Sequence, residues 1–167
     1  MIPPTSHAPR FCFLRGSPTE RPSGFDLGHV RVTLGGALAT SEGRTPDQAF
    51  MIYITATELC DQARGLLVER RMGAEIIGVD SSFRLAFRRR SRNELELDVG
   101  GHRLGCTSAA ELAQAIASGV QELLDESPLD AGDPVHGDVR SALDELRAAI
   151  ERVPPEPEKR ARRRGSH

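Results

Sequence analysis

The chain has no tryptophan, one tyrosine and one lysine, and only three of its 167 residues are cysteine. Cys12, Cys60 and Cys106 stand far apart and odd in number, without C-x-x-C or Cys/His ligand spacing, which argues against a disulfide framework or a zinc site. They read as buried or incidental thiols. No apolar run approaches the roughly 20 residues that a bilayer-spanning helix needs. Phe11-Cys12-Phe13-Leu14 is too short for the apolar core of a signal peptide, so a cytoplasmic protein is expected. Catalytic spacings are missing as well. His7, His29, His102, His136 and His167 are dispersed, and no H-E-x-x-H or Ser/His/Asp arrangement can be assembled from local spacing. Gly35-Gly36 and Gly100-Gly101 lack the strand–G-x-G-x-x-G–helix setting of a dinucleotide site and read as turns or bulges. No catalytic residue, cofactor or metal ligand is assigned.

The charge that is present is segregated. The net charge is −2, which argues against a general nucleic-acid binder. Lys159 is the only lysine among 22 basic residues. With abundant Ala, Gly and Pro, this reads as the codon bias of a GC-rich, actinobacterial genome before it reads as function. Residues 108–153 carry ten acids against Arg140, Arg147 and Arg152, whereas the segment from Pro154 carries the basic block Lys159-Arg160-Ala161-Arg162-Arg163-Arg164. That block has no aromatic residues for base stacking; it reads as a solvated tail or as a contact for RNA, DNA or an acidic protein.

Periodicity places an α+β domain at residues 25–126 between a disordered segment at 1–24 and an acidic linker at 127–137. A mixed or antiparallel sheet of about five strands is expected, with two packed helices. Val30, Val32 and Leu34 alternate with Arg31 and Thr33 as a half-buried strand, which Ala37–Thr40 can continue past Gly35-Gly36. Residues 49–54 are apolar on both faces, as a covered central strand would be. Thr55-Ala56-Thr57-Glu58 reads as a capping box that opens a helix running to about Arg71, with Gly73 as its stop. Phe83, Leu85 and Phe87, then Leu95, Leu97 and Val99, alternate with charged residues on either side of Ser91. A hairpin centred there sets Phe87 against Leu95, Leu85 against Leu97 and Arg88 against Glu94. Gly100-Gly101 turns the chain into a third strand at 102–107, with Leu104 opposite Leu97, Cys106 opposite Leu95 and Arg103 near Asp98. Ser108-Ala109-Ala110-Glu111 caps a helix through about Leu124, with Leu112, Ile116, Val120 and Leu123 on its apolar face.

The remaining candidates are sites of contact. At 138–153 an amphipathic helix carries the seam Val139, Leu143, Leu146, Ile150 and Val153. An isolated helix of that length is marginal in water, so the seam packs back on the domain, binds a partner or self-associates. Residues 154–167 are expected to be a disordered basic tail. The Arg88–Arg92 run is partly neutralised by Glu94, Glu96 and Asp98, leaving Arg89, Arg90 and Arg92 at the turn for an acidic partner.

The order strand, strand, helix, meander, helix over residues 29–124 resembles the small α+β immunity-type proteins of bacterial toxin systems, and small actinobacterial proteins of the same pattern. The likeness is carried by Ile54-Thr55-Ala56-Thr57-Glu58-Leu59, by Gly78-Val79-Asp80-Ser81-Ser82-Phe83 and by the capped helix from Ser108. The resemblance implies a non-enzymatic protein-binding or regulatory module that blocks a toxin through a charged surface. Two other readings stand beside it: a nucleic-acid-associated accessory protein using the arginine turn and the tail, and a small-molecule-binding domain or enzyme with a pocket between sheet and helices.

Overall fold

A computed structural model describes residues 8–154. The basic block from Lys159 lies outside the described residues, as do most of the predicted tail and the first part of the N-terminal segment. Two antiparallel four-stranded sheets and three helices make up the fold. The first sheet has the order β1 (Arg10–Arg15), β2 (Leu27–Leu34), β3 (Ala37–Thr40), with the short β4 (Phe50–Met51) also pairing β2. Helix α1 (Ile52–Val68) follows. The second sheet runs in chain order through β5 (Gly73–Ile77), β6 (Arg84–Ser91), β7 (Glu94–Val99) and β8 (His102–Thr107). Helices α2 (Ala109–Glu126) and α3 (His136–Arg152) complete the chain. Among the described residues, no helix is long and apolar enough to cross a membrane.

The α+β class is as expected; the single five-stranded sheet is not, and the expected three-stranded meander is part of a four-stranded sheet. The difference lies in three segments. Residues 10–15 form β1, whose Phe11 and Phe13 are buried and pair Val32 and Val30 across the strand boundary. This strand was hidden in a segment otherwise rich in Pro, Ser and Arg. Residues 52–54 belong to α1 and not to a strand. An apolar run covered on all sides cannot distinguish a buried strand from a buried helix by periodicity, and α1 is buried nearly all round, with Ile52, Tyr53, Leu59, Cys60 and Leu66 in the core. Residues 73–77 form β5, a strand that was not among those expected.

Thr55 is no helix cap. It lies within α1, fully buried, and its hydroxyl accepts a hydrogen bond from the Val79 N–H at 3.2 Å. The preceding Met51 makes no side-chain cap. At the other end α1 stops at Val68, and Arg70, in the left-handed region at φ 52°, turns the chain before Gly73 begins β5. The capping box at Ser108 and Glu111 forms as expected, and Leu112, Ile116, Val120 and Leu123 are buried.

In the meander the expected faces are right and the register is displaced. Leu85 pairs Val99 and Phe87 pairs Leu97, because the turn is Arg92-Asn93 and a bulge falls between Arg89 and Ser91. A displacement of two residues keeps every side chain on its face, which is why the alternation alone could not exclude it. Arg88 therefore opposes Glu96 and not Glu94. Asp98 does pair Arg103, but a second irregularity sets Gly105 opposite Leu97 and Cys106 opposite Glu96. Gly105 takes φ 140°, and a side chain there would press on Leu34 of the first sheet.

The acidic segment 127–137 is packed and not a free linker. Leu129 and Val135 are buried, and the Asp133 carboxylate accepts from the N–H groups of Gly24 and Val135. Helix α3 lies on α1 and α2. Val139, Leu143 and Leu146 of its seam are buried in the common core, so the chain itself covers most of the surface held open for a partner.

Candidate binding cleft at the end of the central helix

Arg89 organises a surface site where three of the predicted contact residues meet. The last carbonyls of a helix lack intrahelical partners. Arg89 supplies one: its Nη2 donates to the Leu66 carbonyl at 2.9 Å. Its Nε donates to the Arg71 carbonyl at 3.1 Å and its Nη1 to the Arg92 carbonyl at 3.0 Å. One guanidinium thus ties the end of α1, the loop after it and the β6–β7 turn together. The planar, always charged fork of arginine suits this three-way role, and lysine would not replace it.

Beside Arg89 lies a cleft of about 400 Å³. Leu66 and Leu67 of α1 line it together with Val153 and Pro154. Ala109 and Ala110 contribute the first turn of α2, the positive end of that helix. Arg70, Arg92 and Asn93 complete the lining; both arginines are exposed, and neither pairs with a carboxylate among the described residues. The arrangement offers an apolar floor, two unpaired guanidinium groups and a fixed third. Chemically it can hold a carboxylate or another anion that carries an apolar group.

The eight predicted contact residues therefore divide. Arg89, Arg92 and Val153 come together at this cleft, although the Arg89 donors serve the fold. Arg90 is turned onto the outer face of the second sheet, where it meets Glu96 at 2.6 Å. Arg103 approaches the same carboxylate at 3.2 Å. The bond to Arg90 is the main reason that Glu96 is held below the usual carboxylate range. Val139, Leu143 and Leu146 are core residues, and Ile150 lines a separate apolar groove between α2 and β1. Arg70 was missed. Its only signal was a pair of arginines directly after a helix, and its left-handed backbone leaves no mark in the sequence.

Elsewhere two titratable groups are buried in the core. Burial pushes the Cys60 thiol up to about 12 and the Tyr53 phenol likewise to about 12, its hydroxyl donating to the Ser127 carbonyl at 2.6 Å. A thiol held protonated in this way is a poor nucleophile. Among the described residues no three His, Cys, Asp or Glu side chains gather as a metal site would require. Comparison with models of protein families, with curated proteins and with solved structures finds no match to this chain.

Proposed function

We propose that the chain is a non-enzymatic protein-binding module, in the manner of the immunity-type proteins its element order resembles, and that the cleft at the end of α1 takes an acidic, partly apolar segment of the partner. The observation that carries this reading is the pair Arg70 and Arg92, left without counter-ions around Leu66, Leu67 and Val153. Other arginines of this chain sit on carboxylates, Arg15 on Asp26 at 3.0 Å and Arg90 on Glu96 at 2.6 Å. Two left unmatched beside apolar surface suit a charge supplied from outside.

The test is fluorescence anisotropy with a labelled acidic peptide that contains leucines, and with a single-stranded oligonucleotide of equal charge. The expected result is binding of the peptide, weakened about tenfold or more by the double reversal Arg70→Glu with Arg92→Glu. Tighter binding of the oligonucleotide, with a steep salt dependence, would transfer the cleft to the nucleic-acid reading.

A further inference from the structure

Sheet edges expose unpaired N–H and C=O groups, and folded proteins normally cover or blunt them. Here α2 lies along β1, close enough that a side chain at Gly119 would strike the Phe11 carbonyl. Strands β3 and β8 face one another where the two sheets meet. Helix α1 packs against β5, but among the described residues no strand pairs its outer side, and Gly73, Glu75 and Ile77 are exposed. Because Arg89 N–H donates to the Met72 carbonyl and Gly78 N–H to the Phe83 carbonyl, the inward-bonding positions are Met72, Ala74, Ile76 and Gly78. The N–H and C=O groups of Gly73, Glu75 and Ile77 point outward.

Two further observations specify what fits. Met72 is 72% and Ile77 48% exposed, apolar side chains at either end of this edge. Arg88, opposite Gly73, has no carboxylate partner among the described residues, since Glu96 on its other side is held by Arg90 and Arg103. Gly73 places no side chain between Arg88 and the edge, so a carboxylate opposite Gly73 can reach it across the shallow concavity formed with Ala86. Arg84 is already engaged by Glu75 at 3.2 Å. A second copy of this chain is a poor occupant: pairing the full strand about a two-fold axis sets Glu75 directly against its own counterpart, a destabilising like-charge pair.

We infer that the β5 edge accepts an extended segment of another protein as a ninth, antiparallel strand, with an apolar residue opposite Ile77 and a carboxylate opposite Gly73. The inference does not depend on the arginine cleft. The probe is a synthetic seven-residue peptide, blocked at both ends, with Val, Thr and Glu at its second, fourth and sixth positions and Val between them. Nuclear magnetic resonance with hydrogen exchange should show the amides of Gly73, Glu75 and Ile77 slowed on its addition. N-methylation at the second, fourth and sixth positions, which face β5, should abolish this, whereas N-methylation at the third and fifth should not. Arg88→Ala should weaken the peptide about threefold, the scale of an exposed ion pair, and leave its Gln counterpart unaffected. The double reversal Arg70→Glu with Arg92→Glu should bind it unchanged, so this test and that of the cleft fail separately. No slowing at millimolar peptide, equal binding of both N-methylated forms, or slowing that rises with protein concentration alone would each overturn the inference.

Discussion

The two ends of helix α1 are built on opposite lines. At its start several polar groups are answered from within the chain. Ile52 N–H donates to the Asp26 carbonyl and Met51 N–H to that of Val79. The Tyr53 hydroxyl reaches Ser127, and Arg15, only 6% exposed at its side chain, sits on Asp26. Phe50 stacks on Phe83 with ring centroids 5.9 Å apart, and Arg44 covers the Phe83 face. At the far end Val68 and Met72 are exposed, and among the described residues Arg70 and Arg92 meet no carboxylate and no strand pairs the outer side of the strand that follows. The contrast separates stability from recognition. Groups satisfied internally hold the fold, and groups left unsatisfied at a surface are where binding energy can still be gained.

The contrast is most easily broken at Tyr53. Tyr53→Ala should cost about 4 kcal/mol in urea unfolding, from lost burial and the cavity left behind. Tyr53→Phe, which strands the Ser127 carbonyl alone, should cost about 1–2 kcal/mol.

Alkaline pH attacks the same end more gently. The phenol has an ordinary value near 10 when unfolded and about 12 when folded. Between those values the unfolded chain has released a proton that the folded one retains, so the contribution of Tyr53 is intact below pH 10 and is lost as pH rises toward 12. Cys60, raised from about 9 to about 12 by burial, acts in the same direction from pH 9 upward. Tyr53 is the only tyrosine and tryptophan is absent, so ultraviolet absorbance reports its ionisation without interference. Unfolding midpoints against pH should fall in this window, and less steeply in Tyr53→Phe.

The smallest effects belong to the open end. Arg92→Ala and Met72→Ser should each change stability by less than about 0.5 kcal/mol. A larger loss in either would mean that these groups serve the fold and would dissolve the contrast between the two ends.

How much of this was legible depended on whether a pattern had one structural reading or two. The Ser108–Glu111 box and the face through Leu112, Ile116, Val120 and Leu123 had one, and they formed as expected. Residues 52–54 had two, since full burial erases the difference between helix and strand periods. The meander's alternation chose faces but left registers two residues apart equally good, until the bulge beside Arg90 and the turn at Arg92-Asn93 decided between them. At the candidate site the sequence singled out Arg89, Arg92 and Val153 for separate reasons. It had no means of bringing them together with Arg70, which is remote from all three along the chain except through the fold.

By itself, then, the sequence determined the α+β class, the faces of most strands and helices and the segregation of charge, because these follow from local alternation and capping over a few residues. Tertiary structure alone decided which apolar seam was used up and which charges were left over. The seam of α3 vanished into the core because α1 offered it an apolar face, and Arg89 was claimed by three carbonyls that no local pattern places near it. Whether a group is satisfied depends on neighbours distant in sequence, and only the folded chain sets them side by side.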